Sequence, residues 1–215
     1  MKKVLFLGDS ITDAQRSYQE DEHHYIGQGY TEMAAGKLAY AHPGEYEFTN
    51  KGISGNRIVD LYARIKKDCW NLKPDYISIL IGVNDVWHEL EEENGVDAKR
   101  FDHIYRTLIQ ETIERLPECK IMLMEPFSQP GYTMGHDEYN DTFRSETEKR
   151  AAIVGKIAED FGMVFVPLQK DLDEVSKKYG YQVWAEDGVH PTLTGNAFLA
   201  KKWMEGFEKL VQTKE

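Results

Sequence analysis

The sequence is poor in basic residues, in cysteine and in long apolar runs. Its 215 residues contain 26 Lys and Arg against 37 Asp and Glu, which gives a net charge of −11. Nucleic-acid binding relies on clustered Lys and Arg, so this balance argues against a nucleic acid as a partner and disfavours an anionic membrane surface. No apolar run approaches the roughly 18 residues of a membrane-spanning helix.

The two cysteines, Cys69 and Cys119, form neither a metal-binding nor a redox pattern. They are typical of buried thiols in a reducing compartment, and we therefore expect a cytoplasmic protein. The apolar part of the N-terminal MKKVLFLGDS covers only Val4 to Leu7. This is shorter than the about 7–15 residues of a signal-peptide core, so we predict that Lys2 to Leu7 is the first strand of the mature fold.

Short apolar segments alternate with longer amphipathic ones along the whole chain. This alternation predicts a three-layer α/β/α sandwich with a five-stranded parallel sheet covered by helices on both faces. No internal repeat or low-complexity linker interrupts it, so residues 1–215 are predicted to form one domain. The predicted strands are KKVLFLG, EYEFTNKG, DYISILIG, CKIMLMEP and GMVFVP. The predicted helices are Tyr30–Ala41, one that follows an Asn56 N-cap, Asp97–Leu116, Asn140–Phe161, LQKDLDEVSKKYG and Thr194–Val211.

Polar, glycine-containing turns follow the first three predicted strands. The segment FLGDSITD places Gly8-Asp9-Ser10 after strand one, while GISGN follows strand two and GVND follows strand three. In parallel sheets, ligands bind outside the carboxyl ends of the strands. We therefore expect these three turns to lie at one edge of the sheet and to form a site.

Each turn also has an ordinary structural explanation. Ser10 can be a helix N-cap, and the Asp9 carboxylate can accept hydrogen bonds from turn N–H groups. The glycines of NKGISGN can serve as left-handed turn residues. Asn84 can simply end a buried strand, although its carboxamide is also a suitable neutral donor to a developing oxyanion.

The segment Asp187-Gly188-Val189-His190-Pro191 favours a catalytic explanation. A carboxylate three residues before a histidine, across a glycine turn, can reach back to Nδ1 and fix the tautomer of the ring. The chain order Ser…Asp…His matches one of the known triad orders. We predict that Ser10 is a nucleophile, that His190 is its general base and that Asp187 orients His190.

The four motifs appear in order over nearly the full length, and together they resemble the SGNH (GDSL-type) hydrolase family. The family blocks are GDS at Ser10, GISG at Gly55, GVND at Asn84 and DGVH at Asp187 and His190. The resemblance implies a flavodoxin-like α/β/α sandwich. It also implies an oxyanion hole built from the N–H groups of Ser10 and Gly55 and the side chain of Asn84.

Within the family, NKGISGN, IGVNDVW and Trp184 before DGVHPT look like the bacterial acetylxylan-esterase branch. Ile11 stands where the family name has Leu, and His88 stands where this branch has Arg. The branch implies a serine esterase that removes short acyl groups, acetyl above all, from a sugar or oligosaccharide such as acetylated xylan fragments. We expect substrate contacts from Asp9, Trp87 and Trp184, with core packing as the alternative for both tryptophans.

Two other functions stay open. A lysophospholipase or thioesterase would use the same chemistry with an extended apolar channel for the acyl chain. A non-catalytic flavodoxin-like nucleotide-binding module is the third possibility, although the chain has neither G-x-G-x-x-G nor a P-loop after any strand.

The expected partner is a small-molecule ester, and no cofactor or metal is required by the predicted chemistry. The remaining histidines have no ligand spacing such as HExxH: His23, His24, His42, His88, His103 and His136. Of these, His23 and His24 are predicted to be exposed loop residues. The segment Ser128 to Tyr139 is a candidate pocket wall or subunit contact, which leaves a homo-oligomer open.

Overall fold

The computed structural model describes residues 1–19, 25–131 and 137–213, with the backbone alone for residues 137–139. Within these ranges the five strands are β1 (Lys2–Gly8), β2 (Tyr46–Asn50), β3 (Tyr76–Leu80), β4 (Lys120–Met124) and β5 (Val164–Val166). The α-helices are α1 (Ser10–Asp13), α2 (Tyr30–Ala41), α3 (Ile58–Asp68), α4 (Val83–Glu92), α5 (Ala98–Arg115), α6 (Asp137–Asp160), α7 (Gln169–Tyr179) and α8 (Leu193–Gln212). Short 3₁₀ helices cover Trp70–Leu72 and Tyr181–Val183.

All five strands join one parallel sheet in the order β2-β1-β3-β4-β5. This is the flavodoxin-like order, and it confirms the predicted α/β/α class. The central strand β3 pairs with β1 from Tyr76 opposite Val4 to Leu80 opposite Gly8. That register brings the end of β3 level with Gly8, so the turns after β1 and β3 open side by side.

Successive residues of each strand point to opposite faces, which divides the core into two layers. Val4 and Phe6 of β1 pack with α2, α7 and α8, whereas Leu5 and Leu7 pack with α3, α5 and α6. Helix α5 illustrates the pattern, because its buried residues recur at helical spacing: Phe101, Tyr105, Leu108, Ile109 and Thr112. No helix in the described ranges combines the length and apolarity needed to cross a membrane.

The helix boundaries follow local signals in the sequence. Pro43 and Pro117 come shortly after α2 and α5 end, and Gly180 with φ 86° ends α7. The prediction that Asn56 caps the third helix is wrong. Arg57 holds the cap position of α3, and the Asn56 side chain instead accepts a hydrogen bond from Arg64 Nε at 2.7 Å.

Two helices begin inside segments that were predicted as turns. Helix α1 starts at Ser10 immediately after the first strand, and α4 starts at Val83 within GVND. Both starts are packed against the core, since Ile11 and Val83 are buried. The two turns are therefore strand-to-helix junctions.

Candidate active site

The three turns lie together at the carboxyl edge of the sheet, as predicted. The segment after β2 runs back along β1, because Lys51 N–H donates to Phe6 O at 2.8 Å and Ile53 N–H donates to Gly8 O at 3.1 Å. The DGVH turn reaches the same edge from the start of α8. The four sequence motifs therefore converge on Ser10.

A chain of two short contacts joins three of the predicted residues. Ser10 Oγ lies 2.8 Å from His190 Nε2, and His190 Nδ1 lies 2.6 Å from Asp187 Oδ2. The other carboxylate oxygen of Asp187 accepts the N–H groups of Val189 at 2.9 Å and His190 at 2.7 Å. The arrangement has the geometry in which an imidazole can take a proton from a hydroxyl while a carboxylate orients the ring.

The electrostatics of this chain favour an Asp187 carboxylate beside the imidazole. Burial alone would raise the pKa of Asp187, but hydrogen bonds from His190 and from the Val189 and His190 N–H groups hold that pKa below its usual range. The hydrogen bond to Asp187 raises the pKa of His190 against the lowering effect of burial. His190 therefore becomes a stronger base than an isolated imidazole.

The turn that carries Asp187 and His190 is fixed by its backbone and by the loop after β4. Gly188 has φ 92°, and its carbonyl accepts the N–H of Gln129 at 2.7 Å. Gly131 packs so closely on this turn that a Cβ there would lie 2.1 Å from the carbonyl carbon of Asp187. The first part of the predicted segment Ser128–Tyr139 is thus a support for the turn, while residues 132–136 lie outside the described residues.

The predicted oxyanion donors Gly55 and Asn84 lie in the segments that follow β2 and β3, and their role stays a prediction. Gly55 has φ 79°, a conformation that a side chain would strain. Asn84 is buried, and its Nδ2 donates to Asn56 O at 3.1 Å. A carboxamide has two N–H donors, so this bond fixes the Asn84 side chain and leaves its second N–H for another acceptor.

Asp9, and not Ser10, caps helix α1. Its Oδ1 accepts the N–H of Ile11 at 3.0 Å, which removes the structural explanation of Ser10 as an N-cap. Asp9 is 1% exposed, and its Oδ2 has no hydrogen-bond partner among the described residues. Burial raises the pKa of Asp9 to about 7. Asp9 thus shapes the turn beneath Ser10, and its contact with substrate stays a prediction.

Sequence reasoning missed the charged residues that hold the loops together. Arg64 on α3 donates to Gly8 O at 3.1 Å, to Lys51 O at 2.7 Å and to the Asn56 side chain. It therefore ties the turn of the nucleophile to the loop of Gly55. Apolar periodicity marks only the buried face of a helix, so no signal in the sequence distinguishes Arg64 from a surface residue.

Two aspartates add to this framework. Buried Asp13, three residues after Ser10, accepts the N–H of Ser54 at 3.0 Å and its hydroxyl at 3.1 Å. Asp85 accepts the N–H of Ile58 at 3.0 Å, which anchors the start of α3, and burial raises the pKa of Asp85 to about 7. Asp85 belongs to the GVND motif, but nothing near it in the sequence indicates that its partner is the Ile58 N–H on another loop.

The two tryptophans occupy different surroundings. The Trp87 ring lies 5.9 Å from the His190 ring and is partly exposed. Trp184 packs between Tyr179 and Phe198. Contact of either tryptophan with substrate stays a prediction, and the surroundings of Trp184 are those of its packing alternative.

A cavity of about 480 Å³ opens beside Ser10 and His190. Its remaining polar lining consists of Gln15, Gln28, Ser54 and Asn196, and its apolar lining of Ile11, Ala14 and Pro191. Neither Trp87 nor Trp184 belongs to this lining. The cavity therefore offers mainly neutral hydrogen-bonding groups to a ligand of the serine.

No group of three or more His, Cys, Asp or Glu side chains in the described ranges is arranged to hold a metal ion. His23, His24 and His136 lie outside those ranges. His88 contacts Glu92 through Nδ1 at 3.4 Å and belongs to no such group.

Comparison with known proteins agrees with this geometry. The model of the GDSL-like lipase/acylhydrolase family matches residues 6–198. The chain belongs to this family. As a GDSL hydrolase it is a carboxylic ester hydrolase.

The GDSL hydrolase is similar to several proteins over nearly its full length. An acetylxylan esterase from Geobacillus stearothermophilus is 36% identical over 217 residues, which cover 96% of this chain and 95% of that protein. The crystal structure of the Geobacillus stearothermophilus acetylxylan esterase Axe2 superposes with a TM-score of 0.85 at 34% identity, covering 95% and 93% of the two chains. A GDSL-like lipase structure from Parabacteroides merdae ATCC 43184 gives a TM-score of 0.89 at 34% identity, covering 96% and 95%.

Proposed function

We propose that this chain is a serine esterase that removes short acyl groups, acetyl above all, from hydroxyl groups of a sugar or oligosaccharide. The observation that carries the proposal is the contact chain from Ser10 Oγ through His190 to Asp187, with distances of 2.8 Å and 2.6 Å. The relative named acetylxylan esterase supports the acetyl and sugar parts of the proposal.

The first half of the reaction forms an acyl-enzyme. Ser10 Oγ attacks the ester carbonyl while His190 Nε2 takes the hydroxyl proton. The oxyanion that develops on the carbonyl oxygen accepts hydrogen bonds from the N–H groups of Ser10 and Gly55 and from the free N–H of Asn84. His190 then gives its proton to the leaving alcohol oxygen as the carbon–oxygen bond breaks.

The second half regenerates the enzyme. Water attacks the acyl carbonyl while His190 again accepts a proton, and the same donors hold the oxyanion. The proton returns to Ser10 Oγ as the carboxylic acid leaves. Asp187 keeps the Nδ1 proton directed at its carboxylate throughout, so that Nε2 is the basic nitrogen.

The lining of the cavity favours a short acyl group and a neutral alcohol. Its apolar members are three small or medium side chains, which offer little apolar surface to a long acyl chain. Among the described residues no Lys or Arg side chain lines it, so this lining presents no countercharge to a phosphate-bearing lipid or thioester. These features favour the sugar acetate over the lysophospholipase and thioesterase alternatives.

The test is an assay of wild type and Ser10→Ala with 4-nitrophenyl acetate and with acetylated xylo-oligosaccharides. We expect turnover of both by wild type and loss of both in Ser10→Ala. Ser145→Ala is a matched control, because Ser145 is an exposed serine on α6 whose hydroxyl only donates to Thr142 O. Retained turnover in Ser10→Ala would overturn the proposal.

An acyl series from acetyl to decanoyl separates the alternatives. A rate that falls with chain length supports the acetylesterase, whereas a rate that climbs steeply with length supports the lipase-type alternative. Binding of a nucleotide or flavin without ester hydrolysis would favour the non-catalytic module instead.

A further inference from the structure

The cavity beside Ser10 contains two glutamines to which the reaction chemistry gives no role. Gln15 and Gln28 are both exposed and both line this cavity of about 480 Å³. They come from different segments, since Gln15 follows α1 and Gln28 precedes α2. The backbone brings them together, because Gln28 N–H donates to Ala14 O at 2.8 Å.

Gln15 is held in a conformation that L residues seldom adopt. Ala14 has φ 44° and Gln15 has φ 58°, so two consecutive residues other than glycine are left-handed directly after the helix of Ser10. The turn is held by Ala14 N–H, which donates to Ser10 O at 3.0 Å, and by the bond from Gln28. Such strain occurs most often at functional sites, where it directs a side chain. Here the directed side chain is a carboxamide at the cavity wall.

Neither glutamine side chain has a hydrogen-bond partner among the described residues. The other polar groups nearby are already used: the Ser54 hydroxyl donates to Asp13, and the Asn196 carboxamide binds Tyr30, Pro191 and Thr192. Each free carboxamide provides one acceptor oxygen and two N–H donors. Sugar hydroxyls both donate and accept, so they match these groups without requiring a charge.

We infer that Gln15 and Gln28 determine specificity by hydrogen-bonding the hydroxyl groups on the alcohol portion of the ester. This inference rests on the proposed function, and it places the alcohol portion of the ester in the part of the cavity that Gln15 and Gln28 line. Such a site favours an alcohol that carries hydroxyls, because the bound ester covers the two exposed carboxamides and only hydroxyls replace the water that they lose. The preference is therefore for a hydroxylated ring over an apolar ring of the same size.

The test compares a mono-O-acetyl methyl xyloside with cyclohexyl acetate, which differ in the ring oxygen, the hydroxyls and the anomeric methoxy group but not in ring size. The discrimination ratio is kcat/KM for the xyloside ester divided by kcat/KM for cyclohexyl acetate. The variants are Gln15→Gly, which suits a positive φ, Gln28→Ala and the double variant. Gln110→Ala is the control, because exposed Gln110 on α5 only binds Glu114 and lies outside the cavity.

We expect a wild-type ratio well above one, a fall of roughly three- to tenfold in each single variant and a larger fall in the double variant. Gln110→Ala should leave the ratio and both rates unchanged. A shorter carboxamide in Gln15→Asn, which also tolerates a left-handed φ, should retain part of the preference.

Three outcomes overturn the inference. One is an unchanged ratio in the double variant, whether or not both rates fall together. Another is a wild-type enzyme that cleaves both esters through Ser10 without preference, which leaves the esterase function intact. The third is a wild-type enzyme that cleaves neither ester nor 4-nitrophenyl acetate, which overturns the proposed function as well.

Discussion

Asp187 binds both the ring and the backbone of His190. Its Oδ2 lies 2.6 Å from Nδ1 of the imidazole, and its Oδ1 accepts the N–H of the same residue at 2.7 Å. The carboxylate is therefore oriented by a backbone group that does not move with the ring. This arrangement directs the Nδ1 proton to Asp187 and leaves Nε2 free to accept the proton of Ser10.

Asp187→Asn should lower kcat strongly, but less than Ser10→Ala does. An asparagine can keep the backbone bonds through its oxygen while its NH₂ group faces Nδ1. That contact favours the tautomer with a proton on Nε2, which cannot accept the Ser10 proton. We expect kcat losses of about 10⁴-fold or less for Asp187→Asn and about 10⁶-fold for Ser10→Ala. Equal losses in a 4-nitrophenyl acetate assay would contradict this ranking.

The pH dependence of kcat/KM should have its acid limb above the ordinary imidazole pKa. His190 must be neutral to act as a base, so activity is lost as falling pH protonates it. Because the bond to Asp187 raises the pKa of His190, the midpoint of this loss should lie above 6.5. Measurement of kcat/KM from pH 5 to 9 tests the direction. A flat profile, or a midpoint below 6.5, would contradict the expectation that the Asp187 hydrogen bond raises the pKa of His190.

Asp9→Asn should move this acid limb to lower pH. The Asp9 carboxylate acts through its charge to raise the pKa of His190, and asparagine removes the charge while its oxygen can still accept the Ile11 N–H. Because burial raises the pKa of Asp9 to about 7, its charge is present only near and above that pH, and a modest gain in active enzyme is therefore expected near pH 7. The measurement is the midpoint of kcat/KM against pH for the variant and wild type.

Asp85→Asn is the matched control for the Asp9 variant. Asp85 is also a buried carboxyl whose pKa burial raises to about 7, but its bonded partner is the Ile58 N–H on another loop. We expect its acid-limb midpoint to stay near that of wild type. If the acid-limb midpoint shifts equally in both variants, the shift results from the loss of any buried carboxyl and not from the position of Asp9.

The fold was largely predictable because its determinants are local. The apolar runs and their alternation with amphipathic segments located all five strands, and the predicted Tyr30–Ala41 helix coincides with α2. The parallel order followed from the strand–helix alternation and the family resemblance. The start of α1 has a local signal in the Asp9 cap, whereas α4 begins at buried Val83 without a side-chain cap and so could not be predicted from turn chemistry.

The site was predictable where chemistry requires a particular residue type, and unpredictable where residues act through distant partners. Ser10, His190 and Asp187 occur in motifs, and the structure brings them within hydrogen-bond distance. Arg64 and Gln28 have no motif of their own. Their positions matter only because folding brings them to Gly8 and Ala14, which lie 56 and 14 positions away in the chain. These two pairings cannot be predicted from residue patterns in a single sequence.

Asn84→Ala should reduce kcat with little change in KM. The free N–H of Asn84 is proposed to bond the oxyanion, which carries full charge only near the transition state, so its loss affects the chemical step. We expect a loss of about 10²–10³-fold in kcat. Steady-state kinetics with 4-nitrophenyl acetate provide the measurement. A rise in KM at constant kcat would instead indicate a role in ground-state binding.

Gly188→Ala should reduce both stability and kcat, and Gly44→Ala allows the two effects to be separated. Both glycines have left-handed backbones, with φ 92° at Gly188 and 78° at Gly44. A Cβ at Gly44 would meet nothing within 4 Å, whereas a Cβ at Gly188 would lie 2.5 Å from Gln129 O. Gly44→Ala should therefore lose only about 1–2 kcal/mol of unfolding free energy, because alanine is strained at this φ, and it should retain kcat.

Gly188→Ala has the same conformational cost and, in addition, a steric clash between the new Cβ and Gln129 O. The turn can relieve this clash only by moving. Because Asp187 and His190 flank Gly188, this movement lengthens the contact between His190 Nε2 and Ser10 Oγ. We expect a larger loss of unfolding free energy than in Gly44→Ala and a fall of at least about tenfold in kcat, since small displacements of reacting groups are costly. Urea unfolding and kcat measured on both variants decide the matter. If Gly188→Ala retains wild-type kcat despite its lower stability, the DGVH turn does not need this backbone to position the imidazole.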